Sequence, residues 1–175
     1  LKEQQDIFKQ SLKDNGRTFT QQFVALPGKS EHQTGLAIDL GLKKESIDFI
    51  RPDFPYIGIC QQFREKSVPY GFIERYPREK EHITGIAHEP WHFRYVGTPH
   101  AEIMREHHFC LEEYIDFLKR FSQDQPYTFY KDSQEIQIFY LKADTESVSL
   151  EVAEDGSLSV SGNNVDGYII TEWRG

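Results

Sequence analysis

A proline inside a metal-site pattern is the strongest constraint on the fold of this chain. Residues 88–92 read His-Glu-Pro-Trp-His, which matches the HExxH pattern of a helix whose two histidines bind zinc and whose glutamate acts as a base. Proline inside a helix removes a backbone donor and clashes with the preceding turn. Residues 91–96 are mostly aromatic or β-branched and favour a strand. The sequence therefore predicts a turn at residues 89–90 that leads into a strand, and not a helix.

This strand changes which side chains of the pattern reach a metal. We expect His92 to be a ligand and Glu89 to lie beside the open position of the metal, where it would act as the catalytic base. His88 is then a neighbour of the site and not a ligand. The remaining ligands must come from another part of the chain.

A second segment contains side chains that could supply the remaining ligands. Residues 36–40 read Leu-Ala-Ile-Asp-Leu, which indicates a buried strand with one acid in it, Asp39. His32 lies seven positions earlier, which is about 23 Å along a strand or about 10 Å along a helix. Both spans are too long for zinc ligands, so the chain must turn, and Gly35 permits a turn. Two interpretations stay open at this point: Asp39 binds a metal together with His32, or it pairs locally as a buried acid.

The two segments together resemble a known enzyme family. The pattern SxHxxGxAxD at residues 30–39, followed by ExWH at 89–92, is similar to that of the zinc D-alanyl-D-alanine peptidases related to VanY and VanX. The pair of motifs is far more specific than either motif alone. The resemblance covers roughly residues 1–121, and the stretches that look closest to the bifunctional VanXY branch are residues 22–28, 41–44, 70–77 and 89–97.

The resemblance implies a role for each residue of the two motifs. It makes His32, Asp39 and His92 the zinc ligands and Glu89 the catalytic base. Three protein ligands with one open position are typical of a catalytic zinc site, whereas a structural site is closed by a fourth ligand. The residues that it marks for substrate binding are Ser30 and Trp91.

The family also implies an activity and a setting. We expect zinc-dependent hydrolysis of D-Ala-D-Ala termini, as a D,D-carboxypeptidase on peptidoglycan precursors, as a D,D-dipeptidase on the free dipeptide, or as both, in association with vancomycin resistance. The balance would depend on how residues 47–66, the predicted lid, close over the pocket. The expected location is the bacterial cytoplasm, with a membrane-anchored extracellular enzyme as the alternative.

Two other functions remain open from the sequence. One is a peptidoglycan endopeptidase that cuts L-Ala-D-Glu bonds, and the other is a non-catalytic zinc-containing binding domain. The presence of Glu89 argues against a binding domain, which needs no base beside its metal. Enzymes of the family also use an arginine in a Gly-Tyr-Arg segment before the first helix, and we expect that segment upstream of Leu1.

Composition argues against two features of this chain, a nucleic-acid-binding face and a membrane-spanning helix. The chain has 175 residues and a net charge of -8, which argues against a nucleic-acid binder because such proteins need a basic face. It has no apolar run near the roughly 20 residues that a membrane-spanning helix requires. The partner that the resemblance implies is a small peptide or a peptidoglycan precursor, and the oligomeric state is left open.

The pattern of elements predicts an α+β fold. We expect helices at residues 1–14 and 111–121 around a small antiparallel sheet that carries the zinc site. Short alternating runs after residue 125, including residues 147–152, predict a small antiparallel β appendage. The predicted domains are 1–124, the catalytic domain, and 125–175, the appendage. We expect the appendage to extend the domain, with binding of a partner or the cell wall as the alternative.

Overall fold

Two antiparallel sheets organise the chain in the computed structural model, which describes residues 2–144, 147, 150 and 156–174. The contacts divide the chain into two units, Leu1–Leu111 and Glu112–Gly175. Helices accompany the sheets, which confirms the predicted α+β class. The domain boundary predicted after residue 124 stays a prediction. Within the described residues, no helix combines the length and apolar character needed to cross a membrane.

The first unit contains four helices and a three-stranded sheet. The strands lie in the order β1-β3-β2, and both pairs are antiparallel. The strands are β1 Ala37–Asp39, β2 Phe72–Tyr76 and β3 Glu89–Tyr95. The helices are α1 Lys2–Phe23, α2 Gly58–Ser67, α3 Glu81–Thr84 and α4 His100–His107.

The first helix is longer than the sequence predicts. Gly16 has non-helical angles, with φ at 79° and ψ at 174°, and thus breaks the helical geometry close to the predicted end. The helix nevertheless resumes and reaches Phe23, so the helix end predicted at residue 14 is wrong. A buried hydrogen bond of 2.8 Å between the hydroxyls of Ser11 and Thr20 joins the two parts.

An aromatic core holds the central strand. Trp91 and Phe93 are buried with Phe54 and Cys60. The ring of Phe93 meets that of Phe54 edge to face, with 5.6 Å between centroids. Because successive side chains of a strand point to opposite faces, this core directs His92 to the other face of the sheet.

The second unit contains the predicted β appendage. Among its described residues, four antiparallel strands lie in the order β4-β5-β7-β6, and a helix, α5 Leu111–Leu118, begins at the unit boundary. The side chain of Asn163 accepts backbone hydrogen bonds from three residues of the β6–β7 turn. The strand predicted at 147–152 lies mostly outside the described residues. The strands are β4 Tyr127–Lys131, β5 Gln134–Lys142, β6 Ser157–Gly162 and β7 Gly167–Arg174.

The start of β2 offers a test of this packing. Gly71 has a φ of +85°, and a Cβ there would lie 2.7 Å from the Cα of Gly97. We expect Gly71→Ala to lower the free energy of unfolding by about 2–5 kcal/mol, since left-handed strain adds to a backbone clash. Denaturant unfolding followed by circular dichroism measures the change.

Substitution of a second glycine distinguishes the effect of the backbone clash from that of left-handed strain. Gly85 has a φ of +70°, and a methyl group added there would find no atom within 4 Å, so Gly85→Ala should cost only about 1–2 kcal/mol. Equal losses for the two variants would show that close packing against Gly97 does not matter.

Candidate active site

The structure brings His32, Asp39 and His92 into one group. One ligand atom from each lies within 4.8 Å of the others, and this is the single group of that kind among the described residues. Asp39 lies at its centre: Oδ2 is 3.4 Å from His32 Nε2, and Oδ1 is 3.1 Å from His92 Nδ1. The three side chains are therefore placed to share one ion.

A tight turn brings His32 back to Asp39. Residues Glu31–Thr34 form one turn of 3-10 helix, which Gly35 ends in the left-handed conformation with φ at 73°. The chain then enters β1, whose last residue is Asp39. The burial predicted for this strand is confirmed at Ala37 but wrong at Leu36 and Ile38, which are 38% and 39% exposed. The turn that the sequence predicts at Gly35 is confirmed, because this reversal shortens the seven-residue separation.

Strand pairing supplies the third side chain. Asp39 on β1 is the direct register partner of His92 on β3. Directly opposed residues of an antiparallel pair have Cβ atoms about 4.5–5.5 Å apart on the same face. The sheet register thus places the aspartate and the histidine together without any contribution from a loop.

The side chain of Glu89, the first residue of β3, also reaches the group of His32, Asp39 and His92. Residues three apart on a regular strand point to opposite faces, yet Glu89 Oε2 lies 3.5 Å from His92 Nδ1. The pairing of β2 with β3 shifts register between Glu74 and Tyr76, where the strand departs from regular geometry. Such an irregularity re-aims side chains near functional sites.

The environment of Glu89 suits proton transfer. Only 6% of the residue is exposed. Burial raises the pKa of Glu89 to about 8, and the negative charges of Asp39 and Glu31 add to the rise. A carboxyl group with a pKa near the working pH is an effective general base or acid.

The electrostatics of the group favour a bound cation. Burial by itself lowers the pKa of His92, but the nearby carboxylates of Asp39, Glu31 and Glu89 outweigh it and raise that pKa to about 9. The surrounding carboxylates thus stabilise positive charge at this position, whether carried by a proton or by a metal ion.

The donor set fits a zinc ion. Ligand atoms about 2.0–2.2 Å from a tetrahedral zinc lie roughly 3.4 Å from one another. One ligand atom from each of His32, Asp39 and His92 lies within 4.8 Å of the others, so modest side-chain movements would bring all three to one ion. Two imidazoles and one carboxylate leave a fourth position open, as catalytic zinc sites do.

His88 has a different set of contacts. Its Nε2 lies 2.7 Å from the hydroxyl of Tyr56, and its Nδ1 lies 3.2 Å from a guanidinium nitrogen of Arg78. Both ring nitrogens therefore face residues other than His32, Asp39 and His92, which we call the His-Asp-His group. Residues 89–95 form a strand, so the helical arrangement of the HExxH pattern is absent from this part of the chain. The turn predicted at residues 89–90 is wrong, because the strand already begins at Glu89.

One cavity unites the predicted residues. Ser30 and Trp91 line it together with the His-Asp-His group and Glu89. Ser30 precedes the 3-10 turn and makes no side-chain capping bond, whereas Trp91 also belongs to the aromatic core. Phe49 and Ile50, from the predicted lid, line the same cavity. Substrate roles for Ser30 and Trp91 stay predictions.

Glu31 is a site residue that the sequence analysis misses. Its carboxylate is partly buried between Arg75, Arg94 and His92. The available signal is its position next to His32 inside the first motif. That signal is weak, because an acid beside a ligand is more often exposed to solvent.

Comparison with known proteins places the chain in a family. The model of the family "VanY: D-alanyl-D-alanine carboxypeptidase" matches residues 1–98. The bifunctional D-Ala-D-Ala dipeptidase and D-Ala-D-Ala carboxypeptidase VanXYC of Enterococcus gallinarum is 54% identical over 118 residues, which are 67% of this chain and 62% of that protein. The chain thus spans less than two thirds of the length of this relative.

Solved structures agree with the sequence match. The vancomycin resistance D,D-dipeptidase VanXYg, in complex with a D-Ala-D-Ala phosphinate analog, is 55% identical and superposes with a TM-score of 0.96 over 99% of this chain and 69% of that one. The D,D-pentapeptidase VanY from a VanB-type resistance cassette, solved as a mutant in complex with Zn(II), is 35% identical with a TM-score of 0.51 over 64% of each chain. This chain belongs to the VanY family of D-alanyl-D-alanine carboxypeptidases.

Proposed function

We propose that the chain carries the catalytic site of a zinc D,D-peptidase that removes the terminal D-Ala from peptidoglycan precursors, cleaves free D-Ala-D-Ala, or does both. The observation that carries the proposal is the carboxylate of Glu89 3.5 Å from His92 Nδ1, in a cavity that the His-Asp-His group lines. The names of the relatives support the same substrate, since one is a bifunctional D-Ala-D-Ala dipeptidase and carboxypeptidase. Another was solved with a D-Ala-D-Ala phosphinate analog.

Zinc is the metal that we propose for His32, Asp39 and His92. The donor set fits it, and a VanY relative was solved in complex with Zn(II). When bound, zinc supplies Lewis acidity, which polarises a carbonyl and makes a water acidic enough to lose a proton near neutral pH.

Glu89 provides the proton chemistry. Its carboxylate accepts a proton from the water that attacks the scissile amide carbonyl, and a new C–O bond forms. The same group then gives the proton to the nitrogen of the departing D-Ala as the C–N bond breaks. Burial of Glu89 keeps bulk water from competing for this proton.

The shape of the cavity bears on the choice of substrate. Phe49, which is 87% exposed, and Ile50 line the cavity from the predicted lid. We propose that this segment sets the balance between dipeptide and longer peptides. The bacterial cytoplasm remains the predicted location, with an anchored extracellular enzyme as the alternative, and the role of the β appendage also remains a prediction.

The assigned base has a direct test. We expect Glu89→Gln in the full-length protein to reduce the release of D-Ala from D-Ala-D-Ala, or from a pentapeptide that ends in it, by about 10²- to 10⁴-fold. Zinc content should stay unchanged, because the amide keeps the shape of the side chain. Free D-Ala is measured with a D-amino-acid oxidase assay.

Glu74→Gln is the matched control, since Glu74 is a carboxylate of the same sheet that pairs with Arg64 and is not among the residues that line this cavity. Full activity in zinc-loaded Glu89→Gln would show that the base is another group. If the wild-type protein fragments purified peptidoglycan and releases no D-Ala, the endopeptidase is correct.

The ligand assignment is tested by two histidine substitutions. His32→Ala should weaken zinc binding by more than the roughly 10- to 100-fold that loss of an outer-shell partner costs. His88→Ala should leave the zinc dissociation constant within about twofold, because the His88 ring faces Tyr56 and Arg78. Competition with a chromophoric chelator measures both. If His88→Ala weakened zinc binding and His32→Ala did not, the two histidines of the HExxH pattern, His88 and His92, would be the ligands.

A further inference from the structure

Two buried polar atoms face each other behind the His-Asp-His group. They are Glu31 Oε2 and His92 Nε2, and neither has a hydrogen-bond partner among the described residues. The distance between them is 3.6 Å, slightly longer than a hydrogen bond. Since buried polar groups in folded proteins are nearly always paired, this juxtaposition calls for an explanation.

The other oxygen of Glu31 is fixed by two arginines. Arg75 Nε lies 2.9 Å and Arg94 Nη1 lies 3.2 Å from Glu31 Oε1. Both arginine side chains are less than a tenth exposed. They come from neighbouring strands, Arg75 from β2 and Arg94 from β3. The sheet therefore holds the carboxylate with Oε2 turned towards His92.

The other side of the His92 ring faces the ligand group. Its Nδ1 lies 3.1 Å from Asp39 and 3.5 Å from Glu89. A neutral imidazole that binds a metal through Nδ1 carries its proton on Nε2. That proton would point at Glu31 Oε2, and a shift of a few tenths of an ångström would complete the hydrogen bond.

We propose that Glu31 is a positioning residue for the metal site, which accepts a hydrogen bond from His92 Nε2–H and thereby fixes the tautomer and orientation in which His92 Nδ1 binds zinc. The inference rests on the proposed zinc site and adds a residue outside the three ligands and the base. Metal-binding histidines commonly donate their second N–H to a carboxylate, and loss of that partner weakens metal binding by about 10- to 100-fold.

Glu31→Gln is a sharp test because the arginines dictate how the amide must lie. Arg75 Nε donates a hydrogen bond to Glu31 Oε1, and the Arg94 guanidinium lies 3.2 Å from the same atom, so the amide oxygen must occupy this position. The amide NH2 then faces His92 Nε2, and two donors would oppose each other. The ring can accept this bond only if its proton moves to Nδ1, the nitrogen that should bind zinc.

The first measurement is zinc affinity by chelator competition. We expect Glu31→Gln in the full-length protein to bind zinc about 10- to 100-fold more weakly than wild type. Glu31→Asp, which keeps the carboxylate, should recover part of the loss. The control is Glu74→Gln, because Arg64 Nε lies 2.8 Å from Glu74, whose side chain is 15% exposed against 17% for Glu31. This control should bind zinc as wild type does.

The second measurement is nitrogen-15 NMR of the histidine rings. Zinc-loaded wild type should show His92 with its proton on Nε2 and its metal bond on Nδ1, a result that does not depend on whether any variant folds. Metal binding through Nε2 would overturn the proposal, as would Glu31→Gln with wild-type zinc affinity. A wild-type protein that binds no zinc would instead refute the proposed function itself.

Discussion

The antiparallel pairing of β1 with β3 sets Asp39 directly opposite His92, and the rest of the site is built around that pair. A slip of one residue in a strand moves every side chain to the other face of the sheet. Burial of Trp91 and Phe93 in the aromatic core therefore protects the site as well as the fold. This register is favoured because it buries the aromatic side chains on one face of the sheet and brings Asp39 and His92 together on the other.

Keeping the charges of Glu31, Arg75 and Arg94 away from water is costly, and the site lowers that cost by close pairing. Transfer of an unpaired ion into a protein interior costs several kcal/mol. Arg75 and Arg94 share the carboxylate of Glu31, whereas Asp39 has only histidines, His32 and His92, as partners among the described residues. Asp39 is thus the acid whose charge a metal would balance most directly.

Local signals in the sequence predict the outline of the site, and long-range pairing decides the rest. Gly35 indicates the turn because its backbone freedom is a property of one residue. The role of Glu31 cannot be predicted in this way, since it depends on two arginines that lie 44 and 63 positions away in the sequence and that the sheet brings together. Gly16 marks the break in α1 correctly, but the sequence does not predict the hydrogen bond between Ser11 and Thr20 that joins the two parts of the helix.

Pro90, which excludes a helix, also explains how one strand can bring the base Glu89 close to the ligand His92. Proline cannot donate to a sheet ladder, so within a central strand it is tolerated only at an irregularity. β3 is central, and its register with β2 shifts by two residues across Pro90, where Tyr76 pairs with Glu89. A helix brings residues four apart together, whereas here the irregular strand joins Glu89 and His92, three apart. The position of Pro90 is therefore part of the geometry that makes the carboxylate available to the metal site.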